Sequence, residues 1–185
     1  MIIGVSGRNC AGKDTVADYL KSKGYLYLSL SDAIREELSE KGIPPTRENL
    51  ISAGNSIRDT FGPRELARRI AKKILPSKNY VIVSIRNPYE ADELSKIEGF
   101  FLIDVAASKR VRFERMLLRA RGGDPKTFED FCRVEEAEIS SPNSNAQQLD
   151  AVSKMADFEV RNDSGLGSLH KQIDKIISQK VGKNE

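Results

Sequence analysis

Gly7-Arg8-Asn9-Cys10-Ala11-Gly12-Lys13 bounds a short loop with two glycines and closes it with a lysine. Without a Cβ at Gly7 and Gly12 the loop can curl until successive backbone N–H groups, those of Asn9 and Ala11 among them, point at one set of oxyanions. The Lys13 ammonium can then reach the β- and γ-phosphates of a nucleoside triphosphate, and a helix starting near Lys13 adds its positive dipole end. This is the chemistry of a phosphate-binding loop, with ATP as the expected ligand. The next residue, Asp14, stands where a Ser or Thr hydroxyl ordinarily ligates Mg²⁺, and the Thr15 hydroxyl comes one position later. A carboxylate so close to a polyphosphate is repelled unless a cation lies between them. Asp14 is therefore read as a Mg²⁺ ligand, direct or through water, with Thr15 on the α-phosphate. The alternative is a first-turn acid that complements the helix dipole, worth about 0.3–1 kcal/mol.

Further chemistry lies downstream. Ser29-Leu30-Ser31-Asp32-Ala33-Ile34-Arg35 follows an apolar run, which sets Asp32 and Arg35 where active sites of open α/β sheets lie. Asp32 can position or deprotonate an acceptor hydroxyl, and Arg35 can fork onto an anion; a helix cap at Ser31 with Asp32 in the first turn is the alternative. Arg47, Gly54 and Arg58 share one face of an expected helix near 46–60, either approached by substrate or packed on a neighbouring helix. Arg86, at the end of another apolar run, is placed for an acceptor phosphate. That run ends in Ser84 rather than the acid that commonly meets the metal's hydration shell. Lys109 to Arg121 carries six cations against Glu114 alone, and Arg112, Arg115 and Arg119 share a helix face with no acid at pairing distance, so they are expected to await an anion. With Gly122-Gly123 as a hinge, the segment reads as a lid supplying charge to a transferring phosphoryl group; a solvated face and a nucleic-acid patch are the alternatives, the last disfavoured because no aromatic residue lies between the arginines. Arg68-Arg69 and Lys72-Lys73 read as a solvated face. The turn from Asn162 to Gly165 should lie beside the phosphate loop and touch adenine through its backbone.

The elements that must position these groups alternate. Short apolar runs predict strands at about 2–6, 25–30, 79–84, 100–105 and 157–161, separated by helical patterns. Such alternation requires crossovers and a parallel sheet covered on both faces, a doubly wound α/β domain. Residues 1–185 are expected to form one domain, with a substrate-binding insertion over about 31–75 and a lid over about 107–138. A net charge of +3 makes no case for nucleic acid by itself, and Cys10 and Cys132 offer neither a metal spacing nor a disulfide scaffold. No stretch approaches the ~20 apolar residues of a membrane span. A cytoplasmic enzyme is the expectation, its oligomeric state open.

Taken together these pieces resemble the nucleoside monophosphate kinase superfamily of phosphate-loop kinases. They are similar in particular to deoxynucleoside monophosphate kinases with a Gly-Lys-Asp-Thr loop and to dephospho-coenzyme A kinases, whose chains also close on an Ala-Asp…Asn-Asp-Ser/Gly-type segment. The resemblance implies a parallel five-stranded sheet in the order 2-3-1-4-5. It further implies Mg²⁺ and ATP as cofactors and a small-molecule nucleotide acceptor held by Arg35 and Arg86, with Arg115, Arg119 and Arg121 as lid arginines. The departures are Asp14, Ser84 and a very short lid. A nucleotide-binding module without transfer, like the kinase-like domains attached to some deoxycytidylate deaminases, and an ATPase switch are the other classes.

Overall fold

The computed structural model describes residues 1–120, 123–139 and 148–182, with Arg47 and 137–139 described by their backbone alone. At its centre lies β1 (Ile2–Ser6), an apolar strand buried along its whole length. It pairs in parallel with β3 (Tyr80–Val83) on one side and β4 (Phe100–Ala106) on the other. β2 (Leu26–Ser29) and β5 (Phe158–Arg161) close the edges, giving the order β2-β3-β1-β4-β5 with every pairing parallel. All five expected strands form, and the order is the one the resemblance implies. All carboxyl ends point the same way, so the loops that follow them crowd one edge of the sheet.

Alternation along the strands divides the core. Ile2, Tyr80, Ile82 and Leu102 face one cluster with α2 (Leu30–Glu40), α3 (Arg47–Phe61), α4 (Glu65–Ala71) and α5 (Pro88–Ser95). Ile3, Val5, Val81, Phe101, Ile103 and Val105 face a second with α1 (Lys13–Ser22) and α9 (Leu166–Val181). A third, smaller cluster of Phe113, Met116 and Phe131 joins α6 (Lys109–Arg119) to α7 (Phe128–Ile139). The short α8 (Leu149–Ser153), absent from the sequence reading, covers the first cluster through Val152.

Two local expectations need correction. β2 runs directly into α2, and the cap is Ser29 rather than Ser31. The extended backbone of Ser29 lets its Oγ accept from the Ser31 N–H at 3.2 Å. Of the two readings of Gly54, approach by substrate fails and packing on a neighbouring helix holds, for the residue is buried. A Cβ there would lie 3.0 Å from Ile34 Cδ1, so the missing side chain admits α2. The stretch 140–145, read as a loop, lies outside the described residues, as do Arg121 and Gly122.

Candidate phosphate-binding site

The loop between β1 and α1 is shaped by two contacts that only glycine allows. Gly7 has φ +139°, and a Cβ on it would sit 2.4 Å from the Val105 carbonyl oxygen of β4. Gly12 has φ +107°, and its Cβ would fall 2.1 Å from Asn162 Nδ2. That nitrogen is held in place because it donates to the Ala11 carbonyl at 2.8 Å, in a buried bond between the loop and the end of β5. Arg115 of α6 donates to the same Ala11 oxygen at 3.2 Å and to the Asn162 carbonyl at 2.6 Å. The expected neighbours of the loop, Asn162 and Arg115, are thus brought to it. Thr15 stands in the first turn of α1, within 4 Å of where a Gly12 Cβ would be.

Lys13 folds back across the loop, donating to the Gly7 carbonyl at 2.8 Å and the Arg8 carbonyl at 2.9 Å. Burial pushes its pKa down to about 8, and the Arg86 guanidinium adds to the depression, against the opposing pull of Asp14, Cys10 and Asp104. Arg86 is itself positioned at the end of β3. Its backbone N–H donates to Glu90 Oε2 at 2.9 Å, and its carbonyl accepts from the Gln148 N–H at 2.8 Å. Arg86 and Lys13 thus follow the carboxyl ends of β3 and β1, neighbouring strands of the sheet, the edge at which an oxyanion would be bound.

Asp14 projects outward from the first turn of α1. Its carboxylate and that of Asp32 both act on the Tyr27 phenol, whose pKa is raised first by burial and then by these two charges, against a Ser29 hydrogen bond and Arg35. Tyr27 itself stands exposed on β2, with Lys21 Nζ 5.7 Å from its ring centre. Arg35 donates to Asp32 at 2.9 Å. Among the described residues no group of three or more His, Cys, Asp or Glu is placed to cage a metal. The exposed carboxylate of Asp14 beside the loop still fits Mg²⁺, which ordinarily takes one or two carboxylates and completes its shell with phosphates and water.

Three arginines are not as expected. Arg58, read as a substrate contact, is buried with Glu90 of α5, donating through Nε at 3.0 Å and Nη2 at 2.8 Å. A buried guanidinium needs such a partner, and Glu90 is fully enclosed. Arg112, read as awaiting an anion, is buried against Glu135 of α7, with Nη2 2.9 Å from Oε2. Arg119 is paired with Asp124 at 3.0 Å, in an exposed bridge. On α4, Arg69 pairs with Glu37 and Glu65.

Asp104 was missed. It lies two residues before the end of β4, opposite Ser6, is 6 % exposed, and its Oδ1 and the Ser6 Oγ meet no protein partner among the described residues. Burial raises its pKa, against a Ser153 hydrogen bond. It lines a cavity of about 320 Å³ with Arg8, Lys109, Asp150, Ser153 and Glu159. An acid absent from the end of β3 is thus present two strands over, on the far side of β1, and only the register of the sheet discloses it.

A glycine-shaped loop between a central parallel strand and a helix, in a sheet ordered 2-3-1-4-5, defines a protein of the phosphate-loop, nucleoside monophosphate kinase-like superfamily. The chain belongs to the AAA domain family, whose model matches residues 3–140, and to the UPF0200 proteins. It is 33 % identical over 185 residues to a UPF0200 protein of Pyrococcus furiosus, covering 96 % of each chain. It is 32 % identical over 184 residues to one of Pyrococcus abyssi, covering 96 % of this chain and 95 % of the other. Among solved structures, a shikimate kinase from Bacteroides thetaiotaomicron shares the fold, with a TM-score of 0.62 at 13 % identity over 96 % of this chain and 98 % of that one. No helix among the described residues is long and apolar enough to cross a membrane.

Proposed function

We propose that this protein is a Mg²⁺-ATP-dependent phosphotransferase acting on a nucleoside monophosphate or a nucleotide-like small molecule. The observation that carries the reading is the glycine-shaped loop at the start of α1, with Lys13 folded across the Gly7 and Arg8 carbonyls. Backbone N–H groups, a helix start and one ammonium converge there, which is what a polyphosphate requires. The backbone of Asn9, Ala11 and Gly12 cradles the β-phosphate, Lys13 swings from the Gly7 and Arg8 carbonyls to the γ-phosphate, and Thr15 bonds the α-phosphate. Arg115 and Arg119 spread charge over the transferring group, Arg119 trading Asp124 for it as the lid over about 107–138 closes. Asn162 and its neighbours border adenine. Arg35 and Arg86 hold the acceptor's anion within the insertion over about 31–75, and Asp32 orients its hydroxyl. Asp14, with Asp32 nearby, would hold Mg²⁺, which neutralises polyphosphate charge when bound. Catalysis is then positioning and charge neutralisation.

The test is ADP formation from Mg²⁺-ATP with a panel of nucleoside monophosphates and dephospho-coenzyme A. Acceptor-dependent ADP is expected. Lys13→Ala and Arg86→Ala should each lower turnover at least about 100-fold, with only the former weakening ATP binding strongly. ADP released only with a protein or RNA partner, or ATP bound with no turnover on any acceptor, would replace the kinase by a switch or a binding module.

A further inference from the structure

The chain has two cysteines, and the fold brings them from opposite ends of the lid-and-loop assembly to one apolar patch. Cys10 lies in the phosphate loop and Cys132 on α7, and both pack against the cluster of Phe113, Met116 and Phe131. The residues around them set the approach. Asn9, before Cys10, has its carbonyl 3.5 Å from Arg112 Nη1, and Ala11, after it, accepts from Arg115. Cys10 is thereby clamped against α6. On α7, Phe128, Phe131, Cys132 and Glu135 recur at i, i+3, i+4 and i+7 and form one face. Phe131 meets Phe113 with ring centroids 5.7 Å apart, and Glu135 takes the same Arg112 that reaches Asn9. Arg112 thus links the residue before Cys10 to the helix that carries Cys132. Both are free and half-buried, open to a small oxidant. Cys10 also has φ +61°, a left-handed backbone that a non-glycine residue adopts at a cost.

We propose that Cys10 and Cys132 form an intramolecular disulfide under peroxide, and that the bond switches off nucleotide binding by tying the phosphate loop to α7. One thiolate attacks a peroxide oxygen, breaking the O–O bond and leaving a sulfenic acid. The second thiolate displaces hydroxide from that sulfur, so two thiols and one hydrogen peroxide give one disulfide and two waters. The bond requires the two Cα atoms to come within about 7 Å, and both residues pack on the same three side chains. Loop and lid helix then move as one body. A loop that cannot adjust around phosphates binds them less well, and bound ATP must by the same coupling slow the cross-link.

The experiment treats the full chain with hydrogen peroxide and reads it by intact mass, by peptide mapping without reductant and by ATP titration. A Cys10–Cys132 peptide pair within a monomer is expected, forming at least about tenfold faster than in the urea-unfolded chain and reversed by dithiothreitol. ATP affinity should fall at least about tenfold on oxidation and recover on reduction, with Cys132→Ser insensitive in the titration. Overoxidised separate cysteines, cross-links only between chains, or a pair forming no faster than in urea would overturn the site. A disulfide that leaves ATP affinity unchanged would overturn the switch. Absence of ATP binding in the reduced chain would instead count against the kinase reading, while the cross-link is judged by mass alone.

Discussion

Lys13 shows how much of the site's behaviour rests on one ammonium. Its pKa of about 8, set by burial and by Arg86, means that the free protein is partly deprotonated there just above neutrality. A bound polyphosphate favours the charged form and raises that pKa. ATP binding should therefore take up protons between about pH 8 and 9, and affinity should be greatest below pH 8 and fall as pH rises through it. Calorimetry in two buffers of different ionisation enthalpy reads the uptake directly; Lys13→Arg, always charged, should abolish it. For folding the sign differs. A lysine whose folded pKa lies below its ordinary 10.5 binds fewer protons folded than unfolded, so its penalty is full below about pH 8 and is relieved as pH rises toward 10.5. A second prediction concerns Gly12 and Asn162. Gly12→Ala drives a methyl into Asn162 Nδ2 and strains a φ of +107°, while Asn162→Ala removes a buried bond worth about 1–3 kcal/mol. The double variant should be less destabilised than the sum of the singles, since the clash needs both partners; urea midpoints for the cycle measure the coupling. The loop's glycines were legible from spacing, but Asn162 as their reason was not, because the contact joins residues that only the β4–β5 pairing brings together.

Among the elements, α3 and α5 are joined by the Arg58–Glu90 pair, and Glu90 does more than neutralise. Its Oε1 accepts twice from Arg58, and its Oε2 accepts the backbone N–H groups of Arg86 and Asn87, at 2.9 and 3.1 Å. One carboxylate thus sets both the insertion's position and the turn that presents Arg86. Glu90→Gln keeps the shape, leaves a buried guanidinium without its counter-charge and should destabilise by about 3–5 kcal/mol, read as a lower urea midpoint. Arg58→Met with Glu90→Gln should recover part of the loss, because the stranded charge is gone. The strands were legible because their apolar runs are short and bounded by turn residues, as in Tyr80-Val81-Ile82-Val83. Ion-pair partners were not. Glu90, in the first turn of α5, lies 32 residues from Arg58, and Glu135 lies 23 residues from Arg112 on another helix. Helical spacing put Arg112 beside Arg115 and Arg119 correctly, but a helix face becomes interior or rim only once its neighbours are in place.

At the scale of the whole molecule, a net charge of +3 hides an uneven distribution. Many cations are neutralised on the helical flanks, as in Arg68 with Glu93 and Arg69 with Glu37. Lys13, Arg86, Arg115 and Arg119 belong instead to the loops and helix that surround one edge of the sheet. Such focusing accelerates the approach of a polyanion and is screened by salt over a Debye length of about 10 Å at 0.1 M. The association rate of ATP should consequently fall steeply as ionic strength rises from about 0.05 to 0.5 M, more steeply than the modest overall charge implies. Arg119→Gln, which removes a rim charge whose bridge to Asp124 is exposed, should lower the rate at low salt severalfold and flatten its salt dependence. Arg68→Gln changes net charge by the same amount, yet its guanidinium sits on α4 against Glu93 of α5 and not on the helix that flanks the loop, so stopped-flow traces of this variant should overlay the parent's. Equal effects of the two substitutions would mean that ATP responds to total charge, and that the clustering of cations at the sheet edge has no bearing on capture.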